Sequence, residues 1–304
     1  MHDMIIVGAG PAGLAAAMYA TRKRLDYLVL SRDLGGKSNY SIKLPEMEEH
    51  QVIRAKELVT IYKSRLEYLR HSYRLEGVSS IRGNADGFTI TTDKDATEEA
   101  RVVVVATGAR NKRLDVPGEG KYLSRALGYS SISYSHLFEG KRVFLTGDTD
   151  RVLDSAVEMS IHSDAVTLLL LANGSYSKDL VEYVSNLERV NVIREGSIKE
   201  FRGDDFAQEA VIATPDGEHV VAADGFFVEP EPLANSAFLK DMVDLGAGGY
   251  VQVDATNMTS VPGLFAAGDV TGNGFEQILV ALGDGAKAVL SAYRYLLQHG
   301  LRSK

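Results

Sequence analysis

The stretch IIVGAGPAG, residues 5–13, carries the pattern G-x-G-x-x-G between a short apolar strand and an alanine-rich helix. In such a turn, Gly8 permits a tight reversal, Gly10 lets a diphosphate approach the backbone at the helix N-terminus, and Gly13 lets helix and strand pack closely. A second apolar strand follows at Tyr27–Leu30 and completes a β-α-β opening. The stretch therefore predicts an α/β fold that binds a dinucleotide. A glycine turn without a ligand is the alternative.

A second β-α-β opening lies near the middle of the chain. The residue pattern there predicts a strand over Arg142–Thr146, a turn over Gly147–Asp150, a helix over Val152–His162 and a strand over Val166–Leu171. The chain therefore contains two halves that each begin like a nucleotide-binding domain.

The last part of the chain has no glycine-rich opening of its own, so we expect it to complete the first domain. Its predicted elements are strands over Gly249–Val253 and Leu264–Ala267 and a long helix from about Gln277 to Leu297. Between the two openings, the pattern predicts a helix over 49–71 and a hairpin formed by Phe88–Thr92 and Arg101–Ala106.

Composition narrows the function classes. The chain has 304 residues, a formal net charge of −8 and no cysteine. The acidic balance disfavours nucleic acid as the main partner, because phosphate backbones require concentrated Lys and Arg. Without cysteine, this chain can form neither a disulfide, a Cys-ligated metal site nor a thiol nucleophile. Its seven histidines lack metal-ligand spacing, so we expect no metal.

The sequence also predicts where the protein resides. The residues that open the chain, Met1-His2-Asp3, have no basic region of the kind that begins a secretory signal. The longest apolar run, Val166–Ala172, is far shorter than the ~20 residues that span a bilayer. We therefore expect a cytoplasmic protein with no membrane segment.

Four motifs carry a resemblance to a known family. They are the glycine turn at 8–13, Gly-Gly-Lys at 35–37, Ala-Thr-Gly-Ala at 106–109 and PGLFAAGDV at 262–270. With these motifs, in this order and over nearly its whole length, the chain resembles the bacterial thioredoxin reductase family. That family is a low-molecular-weight branch of the FAD-dependent pyridine nucleotide–disulfide oxidoreductases.

The resemblance implies two Rossmann-like, three-layer α/β domains. The FAD-binding domain is discontinuous and is formed by residues 1–112 and 240–304. A domain with the fold of an NAD(P)H-binding domain, residues 113–239, is inserted between them. The resemblance also implies a homodimer.

The cofactor that the resemblance implies is FAD. In the family, the Asp of the Gly-Asp pair bonds the ribityl chain, and the helix N-terminus after it points at the pyrimidine edge of the flavin. Ser31 stands where the first domain usually carries an acid for the ribose hydroxyls, and Arg32 can reach the adenosine. Lys37 either places positive charge near the flavin or is a solvated loop lysine. The residues expected to bind FAD are Gly8, Gly10, Pro11, Ala12, Gly13, Ser31, Arg32, Gly36, Lys37, Asn39, Thr107, Gly108, Gly268, Asp269, Glu276, Gln277 and Ile278.

The redox cysteines of the family are missing. Its members pass flavin electrons to a C-x-x-C disulfide, and the resemblance places Ser130-Ser131-Ile132-Ser133 at that motif. A hydroxyl cannot form a reversible S–S bond, so Ser130 and Ser133 cannot exchange a dithiol. The two serines are remnants of that site or hydrogen-bond to the flavin, and the catalytic residues are unknown.

The nicotinamide motif is also altered. The inserted domain should carry G-x-G-x-x-G/A but reads Gly147-Asp148-Thr149-Asp150-Arg151-Val152. A threonine side chain occupies the place of bare backbone, and two carboxylates would repel a diphosphate. The strand that follows ends without the Arg or Lys that would read an NADPH phosphate. We therefore expect this domain to keep the fold without binding NAD(P)H.

These observations favour an FAD-dependent oxidoreductase that uses neither NAD(P)H nor a dithiol of its own. Its donor would be a small molecule or a small redox protein of the ferredoxin or flavodoxin type. The basic runs 22–24 and 110–113 are solvated faces or docking points for such an acidic protein. The alternative is an FAD-binding protein with little turnover that acts as a sensor or interaction module.

Overall fold

The computed structural model describes residues 1–45, 55–69, 72–272 and 274–299. The strands are β1 His2–Val7, β2 Tyr27–Ser31, β3 Tyr73–Leu75, β4 Val78–Asn84, β5 Gly87–Thr92, β6 Thr97–Val105, β7 Ala109–Arg110, β8 Leu127–Gly128, β9 Arg142–Gly147, β10 Ala165–Leu171, β11 Val190–Arg202, β12 Glu209–Thr214, β13 Gly217–Ala222, β14 Gly225–Val228, β15 Leu233–Ala234 and β16 Leu264–Ala266.

The helices are α1 Pro11–Arg22, α2 Ala55–Tyr68, α3 Glu119–Tyr122, α4 Asp150–His162, α5 Lys178–Ser185 and α6 Ile278–Gln298. Short 3₁₀ helices cover Gly36–Asn39, Ile132–Phe138, Ala237–Leu239, Ala247–Gly249 and Gly268–Thr271. No helix among the described residues is long and apolar enough to cross a membrane.

The chain divides into two compact units. The first unit takes in the described parts of 1–39, 54–110 and 233–304, and the second unit those of 40–53 and 111–232. Residues 233–234 fall in the first unit because β15 pairs antiparallel with β7. Two strands that lead to and from the second unit are therefore anchored on the first one. The assignment of one unit to FAD and the other to an NAD(P)H-like fold stays a prediction.

The first unit is built on a mixed sheet. Its described strands lie in the order β3-β2-β1-β6-β5-β4, and β16 pairs with the C-terminal part of β6. The strands β3, β2, β1, β6 and β16 run parallel. Alternate side chains of β1 pack on opposite faces, Met4 and Ile6 against the α1 and α6 side and Ile5 and Val7 against the other. Burial on both faces is typical of a parallel sheet covered on each side.

The second unit repeats the parallel arrangement. Within the part of the chain that the structure describes, its sheet has the order β13-β12-β11-β10-β9-β14-β8. From β11 to β8 the neighbouring strands are parallel. Strand β12 pairs antiparallel with β11, and β12 and β13 form an antiparallel hairpin. Helix α4 connects β9 to β10. The α/β class with two Rossmann-like sheets, predicted from the glycine turns, is thus confirmed.

Most elements predicted from the sequence are present within one to three residues. The hairpin of β5 and β6 is also present, but β6 begins four residues earlier than predicted, at Thr97. The strand predicted over Gly249–Val253 is wrong. Gly248 and Gly249 adopt positive φ in a 3₁₀ turn, so only Val251 forms an isolated bridge, with Leu245. Strands β3 and β4 were not predicted, because β3 has only three residues and the polar residues of β4 obscure the alternation of apolar and polar positions. Of the helix predicted over 49–71, residues 49–54 and 70–71 lie outside the described residues.

Candidate functional site

The glycine turn after β1 is held by close backbone approaches. Gly8 has a φ of +101°, and a Cβ there would lie 2.4 Å from the carbonyl oxygen of Ala106. A Cβ on Gly13 would lie 1.9 Å from the carbonyl oxygen of Gly8. Both positions therefore require glycine, as the turn motif predicts.

Gly10 differs from the other two glycines of the motif, Gly8 and Gly13, because a Cβ on it would meet no heavy atom within 4 Å. It is the N-cap of α1, no side chain caps that helix end, and no acidic residue lies in its first turn. Pro11 takes the first helical position, where its missing N–H costs nothing. The positive end of α1 thus opens on free space, which suits an anion such as a diphosphate.

The end of β2 is tied to this turn. The Ser31 hydroxyl accepts the amide N–H of Ala9 at 3.0 Å and donates to the carbonyl oxygen of Asp33 at 2.7 Å. One lone pair of the Ser31 oxygen is left to accept from a ribose hydroxyl. The exposed Arg32 guanidinium contacts the Asp93 carboxylate at 3.3 Å.

The loop after β2 packs against the glycine turn. The amide of Gly35 donates to the carbonyl oxygen of Ala9 at 2.7 Å. A Cβ on Gly36 would lie 3.2 Å from the Cα of Gly10, so this loop passes directly beside the open face. The side-chain amide of Asn39 donates to the carbonyl oxygen of Leu34 at 3.0 Å and so links the two ends of the loop.

The Thr107-Gly108 pair follows β6 and is fixed by Asn235, a residue that the sequence did not single out. The Thr107 hydroxyl donates to the backbone carbonyl of Asn235 at 2.7 Å, and the Asn235 side chain donates back to the carbonyl oxygen of Thr107 at 3.0 Å. The amide of Asn235 donates to the carbonyl oxygen of Gly108 at 2.9 Å. No sequence signal pairs these segments, because 128 residues separate them.

The C-terminal motif completes the arrangement. A Cβ on Gly268 would lie 2.9 Å from the Cβ of Ala12, so this motif packs on the first turn of α1. The next residue, Asp269, accepts from the Lys37 ammonium at 3.0 Å, and Glu276 accepts from the same ammonium. Gln277 is the N-cap of α6, which begins at Ile278 and has no acidic residue in its first turn.

All seventeen residues expected to bind FAD belong to the first unit. They follow the carboxyl ends of β1, β2, β6 and β16, which is where ligands bind in open α/β sheets. These features match the chemical groups of FAD. The open face at Gly10 and the positive end of α1 suit the diphosphate, and the positive end of α6 suits the polar edge of the flavin. Ser31 and Asp269 offer acceptors for the hydroxyl groups of the ribose and the ribityl chain. The residues present therefore fit this cofactor.

The two serines of the S-x-x-S segment lie in the second unit. Their hydroxyl oxygens are 3.0 Å apart and share a hydrogen bond at the start of the 3₁₀ helix Ile132–Phe138. Between them, Ser131 is fully buried. The segment thus brings the two γ atoms together, as a C-x-x-C pair would require.

Glu229 is a buried residue that contacts this segment, and the sequence analysis did not predict a role for it. Its carboxylate accepts from the amide N–H of Ser131 and from the hydroxyl of Ser155. Burial raises the pKa of Glu229, against the two hydrogen bonds and the charge of Arg151, which lower it. The available signal was an acidic residue directly after the buried strand β14.

The turn after β9 is filled by the chain itself. The Asp148 carboxylate accepts the amide N–H of Glu231 at 2.8 Å, and the Thr149 hydroxyl donates to the Glu231 carboxylate at 3.2 Å. Asp150 accepts the amide N–H of Ser177 at 2.7 Å. A Cβ on Gly147 would lie 2.6 Å from the carbonyl oxygen of Glu229. Three carboxylates thus surround the N-terminus of α4.

Comparison with known proteins decides the family. The family model described as pyridine nucleotide-disulphide oxidoreductase matches residues 2–285. The chain belongs to this family. In structure, the chain is similar to a thioredoxin reductase from Streptococcus pyogenes, with a TM-score of 0.88, 29% identity and coverage of 98% of this chain and 99% of that one. A thioredoxin reductase from Giardia duodenalis has a TM-score of 0.86, 27% identity and coverage of 97% and 99%.

A curated relative is an alkyl hydroperoxide reductase component of Pseudomonas putida, 32% identical over 306 residues. The match covers 97% of this chain and 58% of that protein, so the chain spans about three-fifths of its length. The resemblance to thioredoxin reductases, drawn from the glycine motifs, is confirmed. Within a pyridine nucleotide-disulphide oxidoreductase family, this chain has neither a cysteine nor an intact second glycine turn.

Proposed function

We propose that this chain is a flavoprotein oxidoreductase that binds FAD in its first unit, takes electrons from a donor other than NAD(P)H, and delivers them to an acceptor other than a dithiol of its own. The observation that carries the proposal is the contrast between two equivalent turns. The turn at Gly10 faces free space, whereas the turn at Gly147 is filled by carboxylates of the chain.

The first unit supports the FAD part of the proposal. Backbone amides at the start of α1 would receive the diphosphate over Gly10, and the free lone pair of Ser31 would accept from the ribose. Asp269 would accept from the ribityl chain, and the uncapped start of α6 at Gln277 would face the polar edge of the flavin. When bound, FAD supplies reversible two-electron chemistry that no side chain of this protein can supply.

The second unit supports the exclusion of NAD(P)H. A diphosphate at its turn would have to displace the Asp148 carboxylate from the Glu231 amide and lie next to Asp150. Each of these carboxylates would repel it, and the repulsion grows where water is excluded. Lys112 offsets only part of this charge, through an ion pair with Asp148 at 3.5 Å.

The electron partner is proposed to be a small redox protein of the ferredoxin or flavodoxin type, or a small molecule. The basic runs are partly engaged within the chain. Lys23 lies over the ring of Tyr293 at 4.9 Å, and Lys112 pairs with Asp148. The exposed Arg110 and Arg24 are the positions from which docking of an acidic protein would be tested first.

One experiment tests the proposal. The purified protein is reconstituted with FAD, its flavin spectrum is recorded, and it is mixed anaerobically with NADPH, NADH, reduced ferredoxin and dithionite in turn. We expect a flavin spectrum, no bleaching by either nicotinamide, and bleaching by reduced ferredoxin. Rapid bleaching by NADPH would overturn the exclusion of NAD(P)H, and failure to bind FAD would overturn the whole proposal.

The second candidate function is an FAD-binding sensor or interaction module. It is favoured by the pairing of Ser130 with Ser133, which leaves no redox side chain at that segment. Reduction by dithionite alone would select it. We also propose that the protein is a cytoplasmic homodimer. Light scattering of the reconstituted protein would test its oligomeric state, and fractionation of the cells that contain it would test its location.

A further inference from the structure

Lys37 holds together two segments that are far apart in the chain. Its ammonium donates to the Asp269 carboxylate at 3.0 Å and also contacts the Glu276 carboxylate. The two acidic side chains are 16% and 18% exposed, and the Lys37 side chain is 37% exposed. This cluster, the Lys37 triad, is therefore shielded enough from water for its charges to act on a nearby ligand.

The Lys37 triad stands beside the open face of the first glycine turn. Lys37 follows Gly36, on which a Cβ would lie 3.2 Å from the Cα of Gly10. Asp269 follows Gly268, which packs on Ala12 in the first turn of α1. A diphosphate over Gly10 would therefore have the Lys37 triad as its charged neighbour.

The triad carries a net charge of −1, because two carboxylates surround one ammonium. Without Lys37, the two carboxylates of the triad alone would carry a formal charge of −2. Two of the three ammonium donors are used by Asp269 and Glu276, so most of the hydrogen-bonding capacity of Lys37 is directed to the carboxylates. The net charge of the Lys37 triad therefore decides how strongly this side of the proposed FAD site repels an anionic ligand.

We propose that Lys37 is a positioning residue for FAD that acts through Asp269 and Glu276, neutralising one carboxylate so that the other can accept from the cofactor. This inference rests on the proposed binding of FAD by the first unit. It assigns to Lys37 and Glu276 an indirect role, in place of the direct contacts that the family resemblance implies.

The test is a charge cycle read as the FAD dissociation constant of the apoprotein, measured by flavin fluorescence. The variants are K37M, E276Q, the double variant K37M/E276Q and K37R. The control is K94M, since Lys94 is an exposed lysine of the same unit that lies 4.0 Å from Glu76. Thermal melts verify that each apoprotein is folded.

We expect the FAD dissociation constants of the variants to follow the net charge of the Lys37 triad. K37M should weaken FAD binding roughly tenfold, which corresponds to about 1.4 kcal/mol. The double variant has the wild-type charge of −1 and should recover most of that loss, while E276Q should bind at least as tightly as wild type. K37R and K94M should leave the constant within about threefold, and the K37M defect should shrink at high salt.

Three outcomes separate the ideas. If the double variant binds as weakly as K37M, Lys37 contacts FAD directly and the inference is wrong. If K37M binds like wild type, the Lys37 triad does not influence the cofactor and the inference is again wrong. If the wild-type protein does not bind FAD, the proposed function itself fails, and the inference fails with it.

Discussion

The hydroxyl oxygens of Ser130 and Ser133 lie 3.0 Å apart and share a hydrogen bond. The backbone of this segment thus presents two γ atoms to each other at the position where the resemblance to thioredoxin reductases predicts a redox disulfide. The chemistry of a dithiol is missing from this chain, but the two γ atoms of the segment lie within hydrogen-bond distance of each other.

This placement predicts that a double variant, S130C/S133C, will form an intramolecular disulfide. The γ atoms are already in contact, so closing an S–S bond should require little backbone movement. Thiol titration in denaturant should find no free thiols after mild oxidation and two after reduction. The single variants S130C and S133C should keep one thiol under both conditions. Two free thiols in the oxidised double variant would contradict the placement.

Gly10 and Gly13 should respond differently to alanine. G10A places a methyl group in free space, so the melting temperature of the apoprotein should not fall, while FAD binding should weaken because the methyl occupies the diphosphate position. G13A forces a Cβ to 1.9 Å from the carbonyl of Gly8, and we expect a stability loss of about 1–3 kcal/mol. Urea unfolding and FAD titration of both variants test this. Equal stability losses would contradict it.

Glu229 should make stability depend on pH. Burial raises its folded-state pKa above the ordinary 4.5, so the folded protein keeps a proton that the unfolded chain releases. The stabilisation is therefore fully present below pH 4.5 and is lost as the pH rises through the folded-state pKa. E229Q mimics the protonated acid and removes this dependence.

We therefore expect the stability of E229Q, relative to wild type, to increase as the pH rises above about 4.5 in urea unfolding. E229A should be less stable at every pH by about 1–3 kcal/mol, because the Ser131 amide and the Ser155 hydroxyl lose their acceptor. The control is E182Q, at an exposed position on α5. Parallel pH profiles of wild type and E229Q would refute the assignment.

Asp148 should contribute to the stability of the second unit. It accepts the amide N–H of Glu231 and pairs with Lys112, so we expect D148A to lower the free energy of unfolding by about 1–2 kcal/mol. D204A, at an exposed carboxylate of the same unit, should leave it within about 0.5 kcal/mol. A neutral D148A would show that the filled turn adds nothing to the fold.

Local sequence signals predicted much of this protein. The glycine turn after β1, the hairpin of β5 and β6, and the ends of α6 follow from residues next to one another in the chain. The strand predicted over Gly249–Val253 failed because two glycines with positive φ interrupt it. Polar strands such as Val78–Asn84 escaped prediction because their stability comes from neighbours that the local pattern does not contain.

By itself, the sequence determined the α/β fold, the family and the absence of a dithiol in this chain, because these depend on local motifs and on residue identity. Only the tertiary structure decided which distant polar groups lie in contact. Lys37 and Asp269 are 232 residues apart, and Glu229 is 98 residues from Ser131. Such pairs form where parallel strands end at one edge of a sheet, and that meeting depends on strand order.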